Sequence, residues 1–82
     1  MLTIEYSPHF LSLIRKIKNN ADKERIKKQI IKIIETPEIG KPMRYVRKGT
    51  QEVYVGSFRL SYAYLKEEDK IVFLDLYHKD EQ

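Results

Sequence analysis

The spacing of apolar residues in this chain changes near Gly40, and that change limits the folds open to it. Before Gly40 the apolar side chains recur at helical spacing: Phe10, Leu13, Ile14 and Ile17, then Ile26, Ile30, Ile33 and Ile34. After it they alternate with polar ones, the two-residue period of a strand. The alternating part divides into segments 51–56, 58–65 and 70–77. Gly56-Ser57 reads as a tight hairpin turn, and Lys66-Glu67-Glu68-Asp69 closes a second hairpin. Helices followed by a meander of strands predict an α+β fold.

The boundaries carry local signals. Leu2, Ile4 and Tyr6 alternate with Thr3 and Glu5, which predicts a short strand ahead of the helices. Ser7-Pro8 supplies a helix cap and a proline at the first helical position. The first helix spans about 8–18 and breaks at Asn19-Asn20. The second starts near Asn20 or Ala21 and stops before Thr36-Pro37, because a residue before proline leaves the α region. The short link predicts an antiparallel helical hairpin. Lys41, Arg44, Arg47 and Lys48 then make a basic connection, of which Met43–Arg47 extends along the sheet. The expected order is β-α-α-β-β-β: one domain, 1–82, with a helical hairpin on one face of a small antiparallel sheet. The other face stays open, as antiparallel sheets allow.

Composition narrows the chemistry. Without cysteine, disulfides, thiolate metal sites and cysteine catalysis are excluded. Two histidines and scattered acids form no metal-ligand pattern, so no cofactor is expected. No apolar run approaches the ~18 residues of a membrane span. Met1-Leu2-Thr3-Ile4-Glu5 lacks the basic start and apolar stretch of a signal peptide, so a cytoplasmic protein is expected. The net charge of +4 favours an anionic partner, nucleic acid or an acidic protein segment, or else describes a lysine-rich solvated surface.

Strand alternation sorts the candidate side chains. Phe58, Leu60, Tyr62 and Tyr64 share one face and are expected in the core, with Val53, Val55, Val72, Leu74 and Leu76. Arg59, Ser61 and Ala63 face the other way, beside Glu52 and Tyr54. His78 has core parity but ends its strand, where a bend can turn it. The open face then carries Arg59 and Tyr54, rimmed by Arg44, Arg47, Lys48 and the His78-Lys79 step. Guanidinium and ammonium groups match phosphate oxygens, and tyrosine rings stack on unpaired bases. The bland alternatives are a cross-hairpin Arg59–Glu52 ion pair, a surface Tyr54 and an inert His78. His9 and the run Lys27-Lys28 are expected to be solvated or structural.

The hairpin Gly56-Ser57-Phe58-Arg59-Leu60-Ser61-Tyr62, followed by a charged turn and an apolar strand ending in His78-Lys79, resembles the RelE/ParE toxin superfamily of type II toxin–antitoxin pairs. The resemblance covers most of the chain. Its RelE branch implies a ribosome-dependent mRNA endoribonuclease that inhibits translation, in which the 2′-hydroxyl attacks the adjacent phosphate without a metal. It implies a phosphate-holding role for Arg59, proton transfer by His78, and an RNA contact for Lys79. It also implies a cognate acidic antitoxin, ribosome and mRNA as partners, with the toxin a free monomer or part of a hetero-oligomer. The chain departs from many relatives in carrying Glu52 and Tyr54 at often-basic positions and no tyrosine after His78-Lys79. Either Tyr54 or Tyr77 then substitutes for that tyrosine, or His78 does the proton work, or the nuclease is weak. The ParE branch, which shares the fold and poisons DNA gyrase, and an inactive homologue that only binds antitoxin are the alternatives.

Overall fold

The computed structural model describes residues 2–42 and 50–78. Its elements run β1 (Thr3–Tyr6), α1 (Pro8–Lys16), α2 (Asn20–Glu35), β2 (Lys41–Pro42), β3 (Thr50–Val55), β4 (Phe58–Leu65) and β5 (Lys70–His78). They form a five-stranded sheet in the order β1-β5-β4-β3-β2, with the helices against one face. The α+β order expected from the sequence holds, with β2 as an added short strand. Lys41 and Pro42 pair antiparallel with Glu52 and Gln51. The expected Met43–Arg47 extension lies outside the described residues. Among the described residues no helix is long and apolar enough to cross a membrane.

Both helices begin at side-chain caps. Ser7 Oγ accepts the Phe10 N–H at 3.0 Å, and Asn19 Oδ1 accepts those of Ala21 and Asp22 at 2.8 and 3.2 Å. These contacts satisfy donors that a helix cannot pair internally. The Ser7 hydroxyl also donates to the Leu74 carbonyl at 3.0 Å. The start of α1 is thereby tied to the middle of β5.

That tie sits at an irregularity. Leu60 pairs with Leu76 and Ser61 with Asp75, but Tyr62 pairs with Phe73, so Leu74 is an extra residue on β5. A β-bulge of this kind shifts the side-chain alternation by one. The core of β5 is therefore Ile71, Phe73 and Leu76, each buried, whereas Val72 and Leu74 are only half-buried. The expected Val72, Leu74, Leu76 face is corrected by this bulge, because strict alternation counts no inserted residue. The sheet also differs from an all-antiparallel one. β1 runs parallel to β5, Tyr6 beside Phe73. The Thr3 N–H donates to Asp69 O at 2.8 Å and the Ser7 N–H to Phe73 O at 2.9 Å, closing the pair at both ends. Apolar alternation chooses the face of a strand but not its direction.

The core joins Phe10, Ile26 and Ile33 from the helices to Val53, Val55, Leu60, Tyr62, Ile71, Phe73 and Leu76 from the sheet. Gly56 holds φ at +59°, so the β3–β4 turn requires a conformation that glycine adopts at no steric cost. Asp69 takes the left-handed conformation at the other turn, φ 52°, where aspartate is among the tolerated residues.

Tyr62 is fully buried, and its hydroxyl anchors the stretch after α2. It accepts the Gly40 N–H at 2.9 Å and lies 2.7 Å from both Pro37 O and Gln51 Oε1. One hydroxyl proton cannot serve two acceptors fully. The Gln51 amide turned about its last torsion would donate instead, an assignment set by the network. A Cβ at Gly40 would meet that hydroxyl at 2.7 Å, so this close approach requires glycine. Tyr62→Phe is expected to cost about 1–3 kcal/mol in urea unfolding, because it strands the buried Gly40 N–H. Burial raises the Tyr62 hydroxyl above its ordinary value, offset in part by the Gly40 N–H. The unfolded chain therefore loses this proton first. The Tyr62 contribution is complete below about pH 10 and is lost as pH rises through the folded value. Tyr62→Phe should flatten that alkaline decline.

Candidate functional site

The open face is assembled by register. Tyr54 on β3 lies opposite Arg59 on β4, and Arg59 lies opposite Tyr77 on β5. In the next row Glu52, Ser61 and Asp75 stand in line. Side chains two apart on a strand share a face. Glu52, Tyr54, Arg59, Ser61, Asp75 and Tyr77 therefore occupy one side of the sheet, away from the helices.

Their contacts form a connected set. The Tyr77 hydroxyl donates to Glu52 Oε2 across β4. Arg59 Nη1 stands 3.9 Å from Glu52 Oε1. The Arg59 guanidinium carbon lies 4.9 Å from the centre of the Tyr54 ring, within cation–π range. The Glu52–Tyr77 pair bridges over β4, which accounts for the burial of Ser61 on a face that carries no helix. Glu52 and Arg59 side chains are only 16% and 26% exposed, so the pair is sheltered from solvent screening. Tyr54 is 60% exposed. A cation, a carboxylate proton acceptor and a phenol are thus held within one patch.

Of the residues singled out in the sequence, Arg59, Tyr54 and Tyr77 come together. His78 does not join them. It pairs with Phe58, whose side chain packs on the core, and the two rings meet edge to face at 5.5 Å. His78 instead lines a cleft of about 350 Å³ with Leu13, Lys16, Lys18, Asn19 and Phe58, on the helix side. Arg44, Arg47, Lys48 and Lys79 lie outside the described residues.

The sequence of this chain matches the profile of the ParE toxin of type II toxin–antitoxin systems, parDE, over residues 4–82. It belongs to that family. Among curated proteins there is no significant match. Solved structures show the fold. A chain of the intact Escherichia coli RelBE toxin–antitoxin complex superposes with TM-score 0.80 at 20% identity, covering 95% of this chain and 96% of that one. A chain of the Pyrococcus horikoshii RelE–RelB complex gives 0.75 at 12%, covering 99% and 98%. One of the Mycobacterium tuberculosis RelBE2 complex gives 0.69 at 24%, covering 94% and 96%. The chain is thus a toxin of the RelE/ParE superfamily with the RelE fold.

Two side chains of the toxin to which sequence reasoning gave no site role stand at this face. In the sequence Glu52 is a departure from an often-basic position, yet in the fold it is the group that Arg59 and Tyr77 share. Its alternation with Tyr54 and its place opposite Ser61 are the available signals. His9, expected to be solvated or structural, has its Nε2 3.2 Å from Asp75 Oδ1. This contact brings it from the first turn of α1 to the edge of the Arg59 face. Asp75 also accepts the Leu76 N–H at 2.8 Å. Nothing in the spacing of His9 and Asp75 signals their contact, because it depends on the bulge.

Proposed function

We propose that this toxin is a ribosome-dependent mRNA endoribonuclease that arrests translation by metal-independent attack of a 2′-hydroxyl on the adjacent phosphate. The observation that carries the reading is Arg59 held between Glu52 and Tyr54, with Tyr77 hydrogen-bonded to the same carboxylate. Arg59 offers N–H groups to the scissile phosphate, where negative charge grows in the phosphorane. Glu52 takes the proton of the attacking 2′-hydroxyl. The P–O5′ bond breaks as the 2′-oxygen bond forms, and Tyr77 gives its proton to the departing 5′-oxygen. The proton on Glu52 then restores Tyr77 through their hydrogen bond. The products are a 2′,3′-cyclic phosphate and a 5′-hydroxyl, with no net proton released. Arg44, Arg47, Lys48 and Lys79 supply further charge for the RNA and ribosome. His78, turned toward Phe58, is given no proton-transfer role.

An acidic antitoxin is the proposed cellular partner. Tyr6, Ile14, Ile17, Ile30, Ile31 and Ile34 line an apolar groove of about 450 Å³ that Lys23 and Lys27 also border. Such a surface suits an amphipathic acidic segment that orders on binding. The toxin is then a free monomer or one member of a hetero-oligomer. Co-expression with an acidic neighbouring gene product should yield one co-eluting complex.

A gyrase-directed reading stands second, favoured by the ParE description of the matching family. Primer extension on an mRNA in a translation reaction separates the two. Cuts within codons at stalled ribosomes are expected. Unbroken mRNA together with inhibited gyrase supercoiling would move the assignment to gyrase. His78→Ala is expected to keep the pH–rate profile of the parent, and a flattened profile would return the proton role to His78.

A further inference from the structure

We infer that the recess beside Tyr54 is a subsite for one unpaired nucleobase next to the cleaved phosphate; this rests on the ribonuclease reading. The recess is about 190 Å³ and is lined by Gln29, Ile39, Glu52, Val53 and Tyr54. Two of its walls are large apolar side chains left in solvent: Tyr54 at 60% and Ile39 at 46% exposure. Tyr54 is the most exposed large apolar side chain among the described residues, and an exposed aromatic ring beside a recess asks for a partner.

The register gives the recess its direction. Among the described residues β2 pairs with β3 at Glu52 and Gln51. Ile39, two residues before Lys41, therefore stands beside the edge of β3 near Tyr54. Arg59 meets the Tyr54 ring from β4, on the inner side of that strand. The ring is thus a partition, with the guanidinium on the β4 side and the recess toward the edge. Gln29 reaches the recess from α2 and brings an amide, which both donates and accepts. A flat ring system with a polar edge fits such walls: its face on Tyr54 and Ile39, its edge toward Gln29. Aromatic stacking of this kind is tolerant of base identity, so any preference comes from Gln29. An aliphatic chain would leave the amide unpaired, and a saturated sugar has no π face to lay on the Tyr54 ring.

Arg59 couples this subsite to the phosphate. A guanidinium lying on a ring still presents its N–H groups in its own plane. One residue can therefore brace the base platform and grip the phosphate together. The hydroxyl of Tyr54 has no part in this, which separates a stacking role from an acid–base one.

The chain has no tryptophan, so Tyr54→Trp introduces a single indole reporter into the intact toxin. Titration with a short 2′-O-methyl RNA, which cannot be cleaved, is expected to quench that emission. Adding Ile39→Asp should weaken the quenching, and Gln29→Ala should level any difference among oligonucleotides that vary at one base. Tyr54→Ala should weaken RNA binding by roughly 5- to 150-fold, with cleavage lowered in step, and Tyr54→Phe should restore most of it. A Tyr54→Phe defect as deep as that of Tyr54→Ala would overturn stacking in favour of hydroxyl chemistry. Parental binding and cleavage by Tyr54→Ala, with Arg59→Ala inactive, would overturn the subsite and leave the ribonuclease. If no variant cleaves RNA and the parent does not either, the ribonuclease reading falls. Quenching without cleavage would then keep the base site, and its absence would remove that as well.

Discussion

Arg59→Ala is expected to lower ribosome-dependent mRNA cleavage by about 10²–10³-fold, the loss that follows removal of one preorganised donor to a developing oxyanion. The fold should survive, because Arg59 faces away from the helices and its neighbours remain paired. Glu52 keeps the Tyr77 hydroxyl as a hydrogen-bond donor. Glu52→Gln tests the other half of the constellation. The amide oxygen still accepts from Tyr77, but the side chain no longer takes a proton at neutral pH. Cleavage should fall by about 10²–10⁴-fold, the usual contribution of a positioned general base. Both variants should relieve growth arrest while still binding the antitoxin. The readouts are primer extension and colony growth, beside circular dichroism to confirm folding. Parental cleavage by Arg59→Ala would remove Arg59 from the phosphate-holding role, and unbroken mRNA with the parent would end the ribonuclease assignment.

Phe73→Ala should cost about 3–5 kcal/mol of stability, the range for deleting a buried aromatic side chain. Phe73 is fully buried and sits where four elements meet. Its ring stacks on Tyr6 at 5.2 Å, meets Phe10 at 5.5 Å and Tyr62 at 6.2 Å. The lost contacts therefore join β1, α1, β4 and β5. A domain of this size has a total stability of roughly 5–15 kcal/mol, so the variant approaches unfolding at room temperature. Urea denaturation against the parent measures it. Phe73→Leu should lose much less, since it keeps most of the apolar volume. A loss below about 1 kcal/mol for Phe73→Ala would contradict the packing described, given the range for such truncations.

The local choices of this chain are legible in its residues. Ser7-Pro8 starts a helix because a hydroxyl caps free N–H groups and proline tolerates the first turn. Thr36-Pro37 ends one because proline excludes its neighbour from the α region. Gly56-Ser57 turns the chain because glycine permits a positive φ. Alternation places Arg59 and Tyr54 on one face, and the hairpin motif points to the toxin superfamily that the family match bears out. One of the bland alternatives is also present: the Arg59–Glu52 ion pair forms, but as part of the site.

Tertiary structure decided what depends on partners distant in the sequence. The bulge at Leu74 moved Ile71 and Phe73 into the core, and the Leu74 carbonyl receives a hydroxyl from Ser7, 67 positions away. It also governs which β5 side chains meet Arg59: Tyr77 does, and His78 meets Phe58. The parallel direction of β1 is set by hydrogen bonds to Asp69 and Phe73, which alternation does not encode. The joining of Glu52 to Tyr77 likewise needs β3 and β5 placed on either side of β4. Periodicity reports which side of an element is apolar. Strand order, direction and register come from pairing between segments far apart in the chain, and those brought the carboxylate, the phenol and the guanidinium together.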